Sequence, residues 1–143
     1  MMTYGFQKKI EQQLKYMNDS GCKLSCTEGL LGNGIYDLNK QYKIYNSEAN
    51  IETLQKLYKN SDFLKNGFPS IWNLDFLKIH NCIVCSSVLV EKNILNQINN
   101  FKELKNGKED YDCWLRLLEY TNCVYVNIPL FYYDLNHGSG RNY

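Results

Sequence analysis

The sequence lacks an excess of charge of either sign. Sixteen Lys and Arg residues are balanced by fifteen Asp and Glu residues, which gives a formal net charge of +1 at pH 7. The Lys residues are scattered among the acids, whereas proteins that bind nucleic acid usually carry a concentrated basic patch. We therefore expect no nucleic-acid partner.

Long hydrophobic runs are also missing. The longest apolar segment, residues 82–90, is interrupted by Ser86 and Ser87, and a transmembrane helix needs about 20 predominantly apolar residues. The first nine residues contain no apolar core of a secretory signal peptide. These absences predict a soluble, cytoplasmic protein without a membrane span.

The residues that are present are typical of a globular domain. Hydrophobic residues make up 44% of the chain and aromatic residues 14%, with twelve Tyr, and this composition is too apolar for a disordered chain. A length of 143 residues is sufficient for one domain with its own core.

Six cysteines could form disulfides, bind a metal or remain free. Without a secretory signal we expect reduced thiols. Cys22 with Cys26, and Cys82 with Cys85, are spaced closely enough to be two halves of a zinc site. Both pairs lie in strand-like runs without the Gly-rich turns that fold ligands around zinc. Small buried hydrophobic residues are therefore the preferred interpretation, and zinc is the alternative.

Hydrophobic spacing predicts an alternating order of helices and strands. Phe6, Ile10, Leu14 and Met17 recur every three or four residues, which is typical of the buried face of an amphipathic helix. The same reasoning predicts a helix over residues 3–18, a strand over 22–27, a loop containing Gly29, Gly32 and Gly34, a helix over 50–60, a strand over 81–90, a helix over 91–98, a helix beginning at Glu109, and strands over 123–126 and 130–133.

Two adjacent carboxylates, Glu109 and Asp110, stand at the start of a helix whose residues Tyr111, Trp114 and Leu118 share one face. A helix N-terminus carries partial positive charge, so a carboxylate there stays ionised at neutral pH and can accept a proton from a substrate hydroxyl. Acids are also favoured in a first helical turn simply because they stabilise the helix. The pair is a candidate catalytic site.

An ordered set of segments resembles the acceptor-side half of family 2 glycosyltransferases. One segment is Glu109-Asp110-Tyr111-Asp112-Cys113-Trp114-Leu115-Arg116-Leu117, which contains the acid pair, and the order and spacing of the set match over nearly the whole chain. The other segments are residues 6–14, 25–27, Asn81 with 86–90, Phe101, 129–133 and 137–139.

The resemblance implies a nucleotide-sugar transferase of the GT-A type. Such an enzyme transfers a sugar from a nucleotide-diphosphate donor to a hydroxyl of a glycan or protein acceptor, with Mn²⁺ or Mg²⁺ in the complete enzyme. The implied fold is a partial GT-A-like three-layer α/β fold, with a mixed sheet and flanking helices, forming a single incomplete domain over residues 1–143.

Individual residues receive roles from the same resemblance. Asp110 is the expected base, with Glu109 shaping the acceptor pocket or exchanging roles with it. Trp114 is expected to form an apolar wall for the sugar ring, and a core position is the alternative. Ser86 and Arg116 are the other expected substrate contacts.

Alternatives remain for two of the assigned positions. Arg116 is four residues after Asp112 on the helix, so these two residues can also form a simple surface pair. His137 matches a position at which some family members contact the metal or the diphosphate, and an exposed loop residue is the alternative.

The donor-binding features of the family are not found in the sequence. No Asp-x-Asp segment precedes the first helix, and a cation left with His137 and one carboxylate would be held poorly. We expect the chain alone to bind no cation and to depend on a separately encoded N-terminal half, which would dock on an exposed apolar sheet edge or face. The alternatives are an inactive saccharide-binding or scaffolding module and an unrelated domain that uses its thiols for metal.

Overall fold

The computed structural model describes residues 2–5 and 8–136, with side chains from residue 8 onward. The described chain is a mixed α/β fold with an open six-stranded sheet and flanking helices, which confirms the predicted class. The strands are β1 (Met2–Gly5), β2 (Leu24–Gly32), β3 (Lys43–Ile44), β4 (Ile71–Trp72), β5 (Leu89–Val90) and β6 (Cys123–Asp134). The helices are α1 (Lys9–Ser20), α2 (Ile51–Leu57), α3 (Leu74–Ile79), α4 (Lys92–Gln97) and α5 (Glu109–Leu117), with a π-helix at Tyr45–Ala49 and a 3₁₀ turn at Cys85–Ser87. None of the helices in this described part is long and apolar enough to cross a bilayer.

The parallel pair of β2 and β6 forms the centre of the sheet. Strands β1 and β4 pair antiparallel with β6, and β3 and β5 pair antiparallel with β2. Thr27 pairs with Val126, but the next pair is Glu28 with Pro129, so residues 127–128 have no partner in this ladder. Proline has no N–H to donate, which favours an irregularity at this point.

Strand β2 continues through the glycines that the sequence analysis assigned to a loop. That prediction is wrong for Gly29 and Gly32, which lie inside β2. A Cβ on Gly29 would stand 2.3 Å from Cζ of Phe131, so the glycine lets the ring of Phe131 pack directly on the strand backbone. Gly34, with a φ of +90°, belongs to the turn that follows.

The first helix differs from its prediction in extent and in the face that it buries. Residues 2–5 form strand β1, because they pair with β6 over four register positions, and α1 begins only at Lys9. Ile10 is 60% exposed and Leu14 48% exposed, while Gln13 and Met17 are the buried residues of α1. The predicted face is therefore wrong at two of its four positions, and Phe6 lies outside the described residues.

The predicted strand over residues 81–90 is mostly replaced by a turn. Only Leu89 and Val90 pair with β2, and Cys85–Ser87 form the 3₁₀ turn. The backbone N and the hydroxyl Oγ of Ser87 both donate to the carbonyl oxygen of Val84, at 2.8 and 2.7 Å. A serine that bonds its own local backbone competes with a strand ladder.

Most other predicted elements are confirmed with changed limits. Helix α5 begins at Glu109 as predicted, α2 and α4 are shorter than expected, and β6 is one strand instead of two. Helix α3 was not predicted from the sequence; its first turn is capped by Asn73 Oδ1, an acceptor for the N–H of Phe76 at 2.9 Å. Strands β3 and β4 and the π-helix were not predicted either.

The main core joins the sheet to helices α2–α5. Its aromatic centre is Trp72, whose ring lies 4.5 Å from Tyr125 and 4.8 Å from Phe76 between centroids. Trp114 and Leu117 bring α5 into the same cluster. Because Trp114 and Leu117 are buried, they fix the position of α5, whose N-terminus carries the predicted acid pair.

Candidate active-site cleft

Four segments that are distant in the sequence line one small cleft. Its volume is about 180 Å³. The π-helix contributes one residue, the segment before β5 contributes five, α5 contributes one and β6 contributes one. They are Tyr45, Asn81, Ile83, Val84, Cys85, Ser86, Asp110 and Tyr133.

Asp110 brings a half-buried carboxylate to this cleft from the first turn of α5. Its Oδ1 accepts the N–H of Tyr111 at 2.7 Å, and its Oδ2 has no hydrogen-bond partner within the described residues. The hydroxyl of Tyr111 donates to the carbonyl oxygen of Leu77 at 2.6 Å, which ties this turn of α5 to α3. Asp110 is thus held by its own helix while one carboxylate oxygen remains able to accept a proton.

Ser86 meets Asp110 in the cleft from the 3₁₀ turn. Gln13 of α1 bonds this turn, because its Nε2 donates to the carbonyl oxygen of Ser87 at 2.8 Å. Beside Ser86, burial raises the pKa of the Cys85 thiol, and the charge of Asp110 raises it further. The structure therefore brings together the predicted base and one of the predicted substrate contacts.

Glu109 does not line the cleft and bonds a different segment from Asp110. Its Oε1 accepts the N–H of Leu104 at 3.4 Å, and it is absent from the residues that line the cleft. This long hydrogen bond connects α5 to the loop that precedes it. Within the described residues, the two members of the acid pair do not share the cleft.

Trp114 and Arg116 are occupied by internal contacts. Trp114 is 1% exposed and packs edge-on against Phe101, with ring centroids 5.6 Å apart. Arg116 forms the ion pair with Asp112 at 2.9 Å, and its Nη1 and Nη2 donate to the carbonyl oxygens of Ile98 and Asn100 at 2.6 and 2.8 Å. Both residues serve the core and the end of α4, and neither lines the cleft.

The described residues do not provide a metal site. No group of three or more His, Cys, Asp or Glu side chains in residues 8–136 is arranged to hold an ion. The two cysteine pairs considered for zinc are therefore not assembled into a site, and their thiols are free. His137, the predicted metal or diphosphate contact, lies outside the described residues.

Two tyrosines of the cleft were not assigned to the site from sequence. Tyr45 and Tyr133 are half-buried, and their ring centroids are 5.7 Å apart. Burial raises the pKa of both hydroxyls, so both are neutral donors near neutral pH. Tyr45 gave no signal because it lies in a π-helix, whose spacing differs from the helical period that the analysis searched for.

Comparison with known proteins identified no match for this chain. No protein-family model, curated protein or solved structure matches the chain.

Proposed function

We propose that this chain forms the acceptor side of a glycosyltransferase of the family 2 type, on a partial GT-A-like fold. The observation that carries the proposal is the meeting of Asp110 and Ser86 in one cleft, with Asp110 Oδ2 free of partners within the described residues. Tyr45 and Tyr133 add two neutral hydroxyl groups to the same wall. Such convergent polar groups in a small concave site favour a polyhydroxyl ligand.

Asp110 acts as the base in the proposed reaction. An acceptor hydroxyl attacks the anomeric carbon of the donor sugar, its proton passes to Asp110 Oδ2, and the bond from the anomeric carbon to the nucleoside diphosphate breaks. The nucleoside diphosphate leaves with the bonding electrons. A positioned base contributes on the order of 10²–10⁴ in rate to such a step.

The size of the cleft limits the proposed acceptor contact. At about 180 Å³ it is smaller than the several hundred Å³ of typical ligand pockets. The cleft therefore takes one sugar unit, or the hydroxyl-bearing edge of one, and the remainder of the acceptor stays outside.

The donor side is assigned to a separate nucleotide-binding half. The described residues supply no group of metal ligands, so cation binding is assigned to that half as well. The exposed side chains of Ile10 and Leu14 on α1 support such a partner, because apolar side chains on one helix face favour docking. The surface is a helix face, whereas the sequence analysis expected a sheet edge or sheet face.

A saccharide-binding module without turnover is the second candidate. It is favoured by Arg116, whose guanidinium is committed to Asp112 and to two backbone carbonyls and is not presented to the cleft. This function would use the same cleft and the same tyrosines. It differs from the first candidate in leaving Asp110 without a chemical role.

Saccharide binding tests the part that both candidates share. We would titrate the purified, ¹⁵N-labelled chain with a panel of monosaccharides and disaccharides and follow amide shifts by NMR. We expect shifts at Ser86, Asp110, Tyr45 and Tyr133. A panel that shifts none of these amides would contradict the proposed acceptor site.

The Asp110→Asn substitution separates the two candidates. In extracts of the native host from which the gene has been deleted, added wild-type chain should restore sugar transfer from a nucleotide-sugar panel. Asp110→Asn should reduce the rate by roughly 100-fold or more, because the amide cannot accept the proton, while saccharide binding is retained. The matched control is Asp75→Asn, since Asp75 is an exposed acid in the first turn of α3. Equal transfer by Asp110→Asn and wild type would exclude Asp110 as the base.

A further inference from the structure

Glu28 is a buried carboxylate that the proposed transfer step does not use. It is 1% exposed and lies where the register between β2 and β6 is irregular. Its Oε1 accepts the N–H of Asn46 at 3.3 Å, and its Oε2 accepts the N–H of Ser47 at 3.0 Å. First-turn N–H groups have no acceptor inside their own helix, so a strand residue supplies the acceptors for the π-helix.

The π-helix that Glu28 holds carries Tyr45 into the cleft. The carbonyl oxygen of Tyr45 accepts the backbone N–H of Asn50 at 3.1 Å and its side-chain Nδ2 at 2.8 Å. At the other end of this turn, Glu48 Oε1 accepts the N–H of Ile44 at 2.9 Å. The backbone around Tyr45 is therefore fixed on both sides, and the Glu28 carboxylate bonds the next two N–H groups.

The same π-helix also supports the segment that carries the other cleft residues. Asn46 Nδ2 donates to the carbonyl oxygen of Cys82 at 3.0 Å in a buried position. Residues 81–86 contribute five of the eight residues that line the cleft. A shift of the π-helix would consequently move Tyr45 and loosen the segment that contains Ser86.

We propose that Glu28 is a positioning residue of the cleft, and that it sets acceptor affinity by fixing the π-helix with Tyr45 in the cleft wall. Its contact with the acceptor is indirect, through the backbone of Asn46 and Ser47. The part of the inference that concerns acceptor affinity rests on the proposed function. The part that concerns the position of Tyr45 does not.

Glu28→Gln is the variant that tests this inference. Glutamine keeps the shape of glutamate but has one acceptor oxygen and an NH₂ group, so one of the two N–H groups loses its partner. The matched control is Asp134→Asn. Asp134 is also buried, and its Oδ1 accepts the N–H groups of Gly34 and Asn136 at 2.8 and 2.9 Å, but it does not line the cleft.

The first measurement needs no ligand. Amide hydrogen exchange at Asn46 and Ser47 should be roughly tenfold faster or more in Glu28→Gln, because local opening becomes easier, and the Tyr45 resonances should move. Asp134→Asn should leave both unchanged. Unchanged exchange and unchanged Tyr45 resonances in Glu28→Gln would overturn the inference. If Glu28→Gln does not fold, Glu28→Asp keeps the charge but draws the carboxylate back by one methylene, and exchange at Asn46 and Ser47 should again be faster; unchanged exchange would overturn the inference.

The second measurement uses the saccharide with the largest amide shifts in the wild-type titration. Glu28→Gln should weaken its Kd by roughly tenfold, which corresponds to ~1.4 kcal/mol. In a Tyr45→Ala background the same substitution should weaken the Kd by a smaller factor, since Tyr45 is gone and only the effect on residues 81–86 remains. Equal weakening in both backgrounds would overturn positioning through Tyr45. If no saccharide binds the wild type, the proposed function fails, and the exchange measurement alone decides the inference.

Discussion

Among single residues, Cys85 is the one whose chemistry reports directly on the cleft. All six cysteines lie within the described residues, and Cys85 is the exposed one while the other five are buried. The protein atoms that partly surround its thiol raise its pKa by desolvation, and the nearby charge of Asp110 raises it further. Because the thiolate is the reactive form, Cys85 should react slowly near neutral pH and faster as the pH rises.

Alkylation with iodoacetamide tests this environment. We expect one modified cysteine per native chain, identified as Cys85 by mass spectrometry. Asp110→Asn should accelerate the modification at about pH 8, because the loss of the negative charge lowers the pKa of Cys85 and increases the thiolate fraction. Iodoacetamide is uncharged, so this charge acts on the thiol and not on the reagent. Asp75→Asn should leave the rate unchanged, and an equal rate in Asp110→Asn would contradict the proximity of the two groups.

Some roles of single residues could be predicted from sequence because they follow from local position. Asp110 was expected at a helix start, and the structure places it there and in a cleft with Ser86. The surroundings of Trp114 and Arg116 depend on Phe101 and on the end of α4, which the spacing along α5 does not reveal. Such non-local contacts decide whether a side chain faces a ligand or the core.

At the level of elements, α1 is attached to the sheet by polar contacts as well as by apolar packing. Gln13 is fully buried, and its Nε2 donates to Ser25 Oγ at 2.9 Å and to the carbonyl oxygen of Ser87 at 2.8 Å. Its Oε1 accepts from Lys9 Nζ at 2.6 Å. One side chain thus connects α1, β2 and the 3₁₀ turn of the cleft.

Gln13→Leu should destabilise the protein by about 1–3 kcal/mol, because Ser25 and the carbonyl of Ser87 lose a donor inside the structure. Urea unfolding followed by circular dichroism gives the free energy of unfolding. Gln12→Leu is the matched control, since Gln12 is the preceding glutamine of the same helix and is half-buried. A Gln13→Leu variant as stable as Gln12→Leu would show that the network contributes nothing measurable.

The helical period alone could not identify this arrangement. The helical period places Ile10 and Leu14 on the buried side because it counts apolar residues. In the structure, the face of α1 toward the sheet carries Gln13, which is fully buried and hydrogen-bonds Ser25 of β2. The π-helix and strand β1 were missed for a related reason. Both depend on partners far along the chain, the carboxylate of Glu28 in one case and strand β6 in the other.

Across the whole molecule, the central pair of strands joins the core to the cleft. Strand β2 contributes Leu24 and Cys26 to the main core and Glu28 to the π-helix, while β6 contributes Tyr125 to the core and Tyr133 to the cleft. A change in the ionisation of Glu28 should therefore affect global stability as well as the cleft.

Within residues 8–136, the titratable groups around Glu28 offer it no compensating positive charge. Burial is the main cause that raises the pKa of Glu28, and hydrogen bonds from Tyr125, Asn46 and Ser47 oppose it in part. The titratable groups that interact with it are Tyr125, Tyr45, Cys26 and Cys82, and burial raises the pKa of each. All four are neutral between mildly acidic and neutral pH, so they leave the charged carboxylate without an ionic partner.

The ionisation of Glu28 should therefore lower the stability of the protein as the pH rises. A pKa raised in the folded state means that the folded state binds the proton more tightly than the unfolded state does. The stabilising contribution is fully present below the unfolded-state pKa of about 4.5 and is lost as the pH rises through the higher folded-state pKa. We would measure urea unfolding of the wild type and of Glu28→Gln from about pH 4 to about pH 7. Because glutamine does not titrate, the free energy of unfolding of the wild type minus that of Glu28→Gln isolates the contribution of Glu28. This difference should fall as the pH rises and then level off above the folded-state pKa of Glu28. A difference that rises with pH would mean that the hydrogen bonds from Tyr125, Asn46 and Ser47 outweigh the cost of burying the charge.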